Sequence, residues 1–280
     1  MNASGHTGIM STDPISDVGY FPVDSQAAAA ANRDWWSAEA SDYLAEHGDF
    51  LGEADFCWSP EGLRESEAGL LGPLDRLRTE DVLEVGAGAA QCSRWLRSQG
   101  VSAIATDVAS GMIAAAAELD RRTGIDVPAV VADARALPFA DASFDVVFTA
   151  FGAIPFLADA QRVHTEAARV LRPGGRWVFS VTHPIRWAFP DDPGEHGLRV
   201  VRSYFDRTPY AETGADDQVL YSEFHRTMGD HIRDIVGAGL QLTGLLEPEW
   251  PPGNTNVWGG WGPVRGAYLP GTAIFATILR

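Results

Sequence analysis

Lysine is missing altogether. All 21 basic residues of this 280-residue chain are arginines, so neither Schiff-base chemistry nor the lysine of a phosphate-binding P-loop is available. Cysteine is scarce. Cys57 and Cys92 are the only two, too few for a disulfide framework, and a reducing cytoplasm is the expected setting. Positive charge is short: a formal net charge of -17 repels phosphate backbones and argues against a nucleic-acid partner. No apolar run is long enough to span a bilayer, so no membrane role is expected. The opening residues, MNASGHTGIMSTDPISDVGYFPVDSQ, lack the basic-then-apolar order of a secretory leader and read as a mobile polar tail over 1–26. Metal-ligand spacing is lacking too, with His6, His47 and His196 isolated, so no metal is expected. No G-x-S-x-G elbow supports a hydrolase triad.

What is present is apolar material for a sizeable core, 45% hydrophobic and 10% aromatic. Residues 27–48 carry helix formers with Trp36, Tyr43 and Leu44 on one face, and a short helix is expected over 61–71. Apolar strands are then predicted at 81–85, 102–107, 127–133, 143–151 and 176–184. Helical stretches separate them at 89–100, at 110–124 with Ser110 as N-cap, and from Asp159 to the stop at Pro173–Gly174. Such alternation means a parallel sheet covered on both faces. After Pro184 the rhythm breaks. Residues 184–223 read as an insertion, 227–240 as a helix, and 240–247 and 272–279 as final strands. The Gly/Pro/Trp-rich loop at 248–270 is of the kind that forms lids or binding surfaces.

The first of these strands runs into the turn DVLEVGAGAAQC, residues 81–92. In open parallel sheets ligands sit at the carboxyl ends of the strands, and glycines such as Gly86 and Gly88 let the backbone approach them. Asp107 ends the next strand about twenty residues on, the interval expected of a carboxylate that binds ribose hydroxyls. A dinucleotide site wants G-x-G-x-x-G/A, but Gln91 stands at the third small position. Glu84 would repel a pyrophosphate and suits a cationic ligand carrying an amine.

Four stretches in order, VLEVGAG, ATDVASGMI, VADARALPFADASFDVVFTAFG and VLRPGGRWVFSV, resemble the motifs of class I S-adenosylmethionine-dependent methyltransferases. The likeness is to the small-molecule branch, that of the ubiquinone/menaquinone-type enzymes. It departs at the third glycine of the first motif, which is Ala90 here. The resemblance implies a Rossmann-like α/β fold, a seven-stranded mostly parallel sheet with its last strand antiparallel. It also implies a helical cap over 27–75 and a catalytic domain over 76–280. The cofactor implied is S-adenosyl-L-methionine, with Glu84, Gly86, Ala87 and Gly88 at its methionine part. Asp107, Val108 and Met112 would lie at the ribose, Asp133 and Ala134 at the adenine, and Phe151 close to the methyl donor. Met112 and Phe151 read equally well as core.

His183, at the end of the fifth strand, is the first candidate for a general base, or else a neutral partner of a backbone carbonyl; His225 is the second candidate. His164 and His231 are expected to be exposed, and Cys92 to be a small core residue. Tyr43 or Trp58 would face the sulfonium if they are not core. Trp187, Phe189, Trp250, Trp258 and Trp261 either line a pocket for a flat or apolar acceptor or hold long loops down. The acceptor that the resemblance implies is a small molecule with an O-, N- or C-nucleophile. A nicotinamide-dependent oxidoreductase is the alternative, opposed by the broken fingerprint and by the lack of a Tyr-x-x-x-Lys pair. A non-catalytic S-adenosylmethionine-binding protein is a third reading.

Overall fold

A computed structural model describes residues 15–280. The chain enters through β1 (Asp17–Tyr20) and two helices, α1 (Ser25–Ala38) and α2 (Ala40–Leu51). Asp24 caps α1 by accepting the N–H groups of Gln26 and Ala27. The one helix expected over 27–48 is therefore two, with the break at Glu39. The helix expected over 61–71 shrinks to a single turn, α3 (Glu65–Ala68), followed by α4 (Leu74–Leu77). The Glu65 carboxylate stops α3 there by accepting from Leu70 N, Leu71 N and Trp58 Nε1. Of the tail expected over 1–26, the part before Ile15 lies outside the described residues; the rest is irregular backbone, the strand β1 and the start of α1.

The alternating segment holds β2 (Asp81–Val85), α5 (Gln91–Ser98), β3 (Ser102–Asp107), α6 (Ser110–Thr123), β4 (Ala129–Val131), β5 (Phe144–Ala150), α7 (Gln161–Val170) and β6 (Leu171–Thr182). The insertion contains two strands, β7 (Tyr210–Thr213) and β8 (Val219–Glu223), which pair with each other and with β1 in an antiparallel sheet of order β1-β7-β8. Then come α8 (Met228–Gly237), β9 (Leu240–Leu246), α9 (Pro263–Gly266) and β10 (Thr272–Leu279). The main sheet has seven strands in the order β4-β3-β2-β5-β6-β10-β9. β10 runs antiparallel to both β6 and β9, and the other pairings are parallel.

Period-two alternation along the strands feeds two cores. Leu83, Val147, Trp177 and Phe179 face α7 and α8 and pack with Val163, Val170 and Ile235. Val82, Val146, Phe148 and Val178 face the other way onto Leu96, Leu77, Phe56 and Trp58. Strand order reverses between β2 and β5, so their carboxyl ends open a crevice, where an open α/β sheet binds its ligand.

Candidate active site

Two turns meet at that crevice. Gly86 has φ +63°, and a Cβ on it would lie 2.7 Å from Ala153 N. A Cβ on Gly152, after β5, would lie 2.2 Å from Gly86 O. Both positions need glycine because backbone passes backbone. Phe151, Ala153 and Ala90 take positive φ values of 61°, 52° and 58° without being glycine. Such values are costly for residues with a Cβ and cluster at functional sites. Ala90 thus adopts the left-handed conformation that a glycine would take there without strain.

Three carboxylates ring the turns. Glu84 is 2% exposed and accepts from Ser93 N, capping the start of α5 from the neighbouring strand. Loss of water on burial pushes it up to about 7. Asp107 accepts from Gly88 N and Ala109 N, both at 2.8 Å, so it ties the glycine turn to the start of α6. The helix is capped at Ala109, one residue before the expected Ser110. Burial pushes Asp107 up to about 6. Asp133 is different: burial works against its charge, but hydrogen bonds from Arg135 hold it below the ordinary carboxylate range.

One cavity of about 640 Å³ joins these groups to the cap, a size usual for small-molecule sites. Glu84, Gly86, Ala87, Gly88, Asp107, Val108, Met112, Asp133, Ala134 and Phe151 all line it. Cys92 packs against the core as expected and also lines the cavity. The opposite wall comes from α1, α2, the insertion and the late loop, through Trp35, Trp36, Tyr43, Tyr221, Trp258 and Trp261. Of the aromatics expected either at the ligand or in packing, Tyr43, Trp258 and Trp261 line the cavity. The helical face formed by Trp35, Glu39, Tyr43 and His47 went unread, although its four-residue spacing is visible in the sequence.

Other expected residues lie elsewhere. Thr182 and Arg186 line the cavity, but His183 does not. His183 Nδ1 accepts from Ile185 N, and Nε2, 2.7 Å from Glu247 Oε1, is left to donate. Burial lowers its pKa. His225 is also outside, with Nε2 2.7 Å from Tyr204 O and its ring against Trp187. Trp58 is fully buried between Phe56 and Phe148. Phe189 lies under Arg265, and Trp250 bonds Asn254 O, so neither they nor Trp187 reach the main cavity. His164 and His231, expected to be exposed, are 0% and 4% exposed; His164 accepts from Trp177 Nε1 in the core.

Fold and turn together define a nucleoside-cofactor enzyme of the Rossmann-like α/β class. Residues 83–179 match the methyltransferase domain family. Over 260 residues the chain is 30% identical to malonyl-[acyl-carrier protein] O-methyltransferase of Hahella chejuensis, covering 88% of this chain and 84% of that one. It is 41% identical over 195 residues to demethylmenaquinone methyltransferase of Mycolicibacterium vanbaalenii, covering 69% and 76%. Its fold is similar to that of Burkholderia thailandensis 1,6-didemethyltoxoflavin-N1-methyltransferase, solved with 1,6-didemethyltoxoflavin and S-adenosylhomocysteine. That likeness has a TM-score of 0.52 at 16% identity and covers 99% of each chain. The chain belongs to the S-adenosylmethionine-dependent methyltransferases, and S-adenosylmethionine is its cofactor. The donor set fits that molecule: buried carboxylates for hydroxyls and cations, bare glycine backbone, and in Arg135 a cation already engaged by Asp133 instead of a free phosphate ligand. Among the described residues no helix is long and apolar enough to cross a membrane.

Proposed function

We propose that the protein methylates a small molecule with a flat or apolar body, held between the glycine turns and the aromatic wall. One observation carries this reading: a single cavity connects the Gly86–Gly88 turn and Asp107 with Trp35, Trp36, Tyr221, Trp258 and Trp261. Relatives named for malonyl-[acyl-carrier protein] and demethylmenaquinone, and a structural neighbour solved with 1,6-didemethyltoxoflavin, support methyl transfer as the reaction.

S-adenosylmethionine supplies a methyl group already attached to a good leaving group. The chain's share is to bind, align and exclude water. In this reading Asp107 accepts from the ribose hydroxyls, and Gly88 N and Ala109 N hold its carboxylate in place. Val108, Met112 and Ala134 pack the nucleoside, and Asp133 faces the adenine amino group. Gly86, Ala87, Gly88 and Glu84 receive the amino-acid end. Phe151, set on its strained turn, borders the reacting carbon. His183 and His225 stand outside the cavity, so a proton leaving the acceptor passes to another wall group, a carboxylate or His47, or to water.

The test is calorimetry with S-adenosylhomocysteine. The wild type is expected to bind it, and Asp107→Ala to bind it about 1–3 kcal/mol more weakly through lost charge-assisted hydrogen bonds. Unchanged affinity in the variant would remove Asp107 from the ribose. An acceptor screen read by product mass then tests transfer itself.

A further inference from the structure

We propose that the acceptor enters this site as an organic cation: a protonated amine joined to an aromatic or apolar body. The proposal rests on the methyl-transfer reading above and names the acceptor class for it.

The cap contributes one helical face. Glu39 N bonds Trp35 O and Tyr43 N bonds Glu39 O, both at 2.9 Å, so the face continues across the break between α1 and α2. Along it Trp35, Glu39, Tyr43 and His47 recur at every fourth position and all line the cavity. One carboxylate, that of Glu39, thus sits among rings. Trp35 packs on Tyr221 at 4.7 Å between centroids, Trp36 on Tyr43 at 5.4 Å, and His47 stacks on Trp258 at 3.9 Å. Ring faces attract cations, most of all when water is excluded.

Glu39 supplies the second observation. It is only 5% exposed, and its buried Oε2 has no hydrogen-bond partner among the described residues. Buried carboxylate oxygens are seldom left without a donor, and an ammonium would satisfy this one. Burial, with Asp42 close by, also raises the pKa of this carboxyl and makes it a better proton acceptor. The charge balance of the wall agrees. The cavity holds two guanidiniums, each already paired: Arg135 with Asp133 at 2.8 Å, and Arg186 3.4 Å from Asp191 and close to Glu223, which holds the Tyr221 hydroxyl at 2.8 Å. Asp42 and Glu46 add further negative charge. An anionic acceptor would approach against this field, whereas a cation is drawn in.

Transfer needs the neutral amine. The ammonium gives one proton to a wall carboxylate, Glu39 being the buried one. The freed nitrogen lone pair then forms the carbon–nitrogen bond as the methyl–sulfur bond breaks, and that bond's electron pair remains on sulfur.

A matched probe pair tests the charge preference. Tryptamine and 3-(indol-3-yl)propionate share a ring and differ in the charge of the tail. The wild type is first shown to bind S-adenosylhomocysteine; failure there sinks the methyl-transfer reading itself. On the loaded protein, tryptamine is expected to bind at least tenfold more tightly than the propionate. Glu39→Gln, nearly the same shape, is expected to weaken tryptamine about tenfold and leave S-adenosylhomocysteine within twofold. The proposal is overturned if the propionate binds as well as tryptamine or if neither gives heat. It is equally overturned if Glu39→Gln leaves tryptamine unchanged, or weakens S-adenosylhomocysteine as much as tryptamine, since Glu39 would then serve the cofactor. Should the variant not fold, the wild-type preference between the two probes still decides.

Discussion

Glu84 and Asp107 set the pH behaviour of the site. Burial holds them up at about 7 and about 6, above their values in an unfolded chain. Their contribution to stability is therefore full below about pH 4 and is lost as the pH rises through 6 to 7. His164 runs the opposite way. Burial drives it down to about 3, so its contribution is present above about pH 6.5 and is lost as the pH falls. A cationic ligand favours the ionised carboxylates and displaces their protons. S-adenosylmethionine affinity is thus expected to rise between about pH 5.5 and 7.5. Titrations in two buffers of different ionisation enthalpy should show net proton release near pH 6.5; equal heats in both would contradict the assignment. His183 is expected to matter for stability and not for chemistry. His183→Gln should leave turnover within about threefold and cost about 1–3 kcal/mol in urea unfolding, through Ile185 N–H and the buried ring. A collapse of kcat in a folded variant would return it to the mechanism.

At the level of elements, two close contacts help to fix α1. Asn32 of α1 donates to Phe156 O and Ser222 O and accepts from Ser222 N, clamping the helix to β8. Farther along, Gly111 of α6 lets α1 in so closely that a Cβ would lie 2.0 Å from Ser37 O. Gly111→Ala is expected to cost about 1–3 kcal/mol by overpacking and to weaken S-adenosylhomocysteine, because α1 carries part of the cavity wall. Urea unfolding and calorimetry would show both, and an unshifted urea midpoint would refute the contact. The sequence was most legible where one element repeats one pattern. β2, β3 and β5 are largely apolar runs that reach glycine or acid at or just past their ends, and each lies within a residue of its expected place, whereas β6 starts five residues early and ends two short. The second sheet was hidden because β1 and β7 have four residues each, the former with a glycine, and pair across about 190 positions. The histidines misled for a related reason: strand-end position says which edge a residue occupies, but only the packing of the insertion says which way His183 and His225 turn.

For the molecule as a whole, charge is the dominant bulk property. At -17 the folded chain repels itself, and the Debye length shortens to about 10 Å at 0.1 M salt. The thermal midpoint is expected to rise as NaCl goes from about 20 mM to 300 mM, and a fall would show that ion pairs outweigh the repulsion. Over the same range S-adenosylmethionine, which carries one positive charge more than S-adenosylhomocysteine, should lose affinity faster than the product. The contact between Gly86 and Gly152 bears on how such a molecule can change over generations. Each of these residues occupies the volume in which the other's side chain would have to grow, so no sequence of single replacements leads away from the pair. Diversification toward new acceptors is thereby channelled into the insertion, the late loop and the cap, while the floor of the crevice stays as it is.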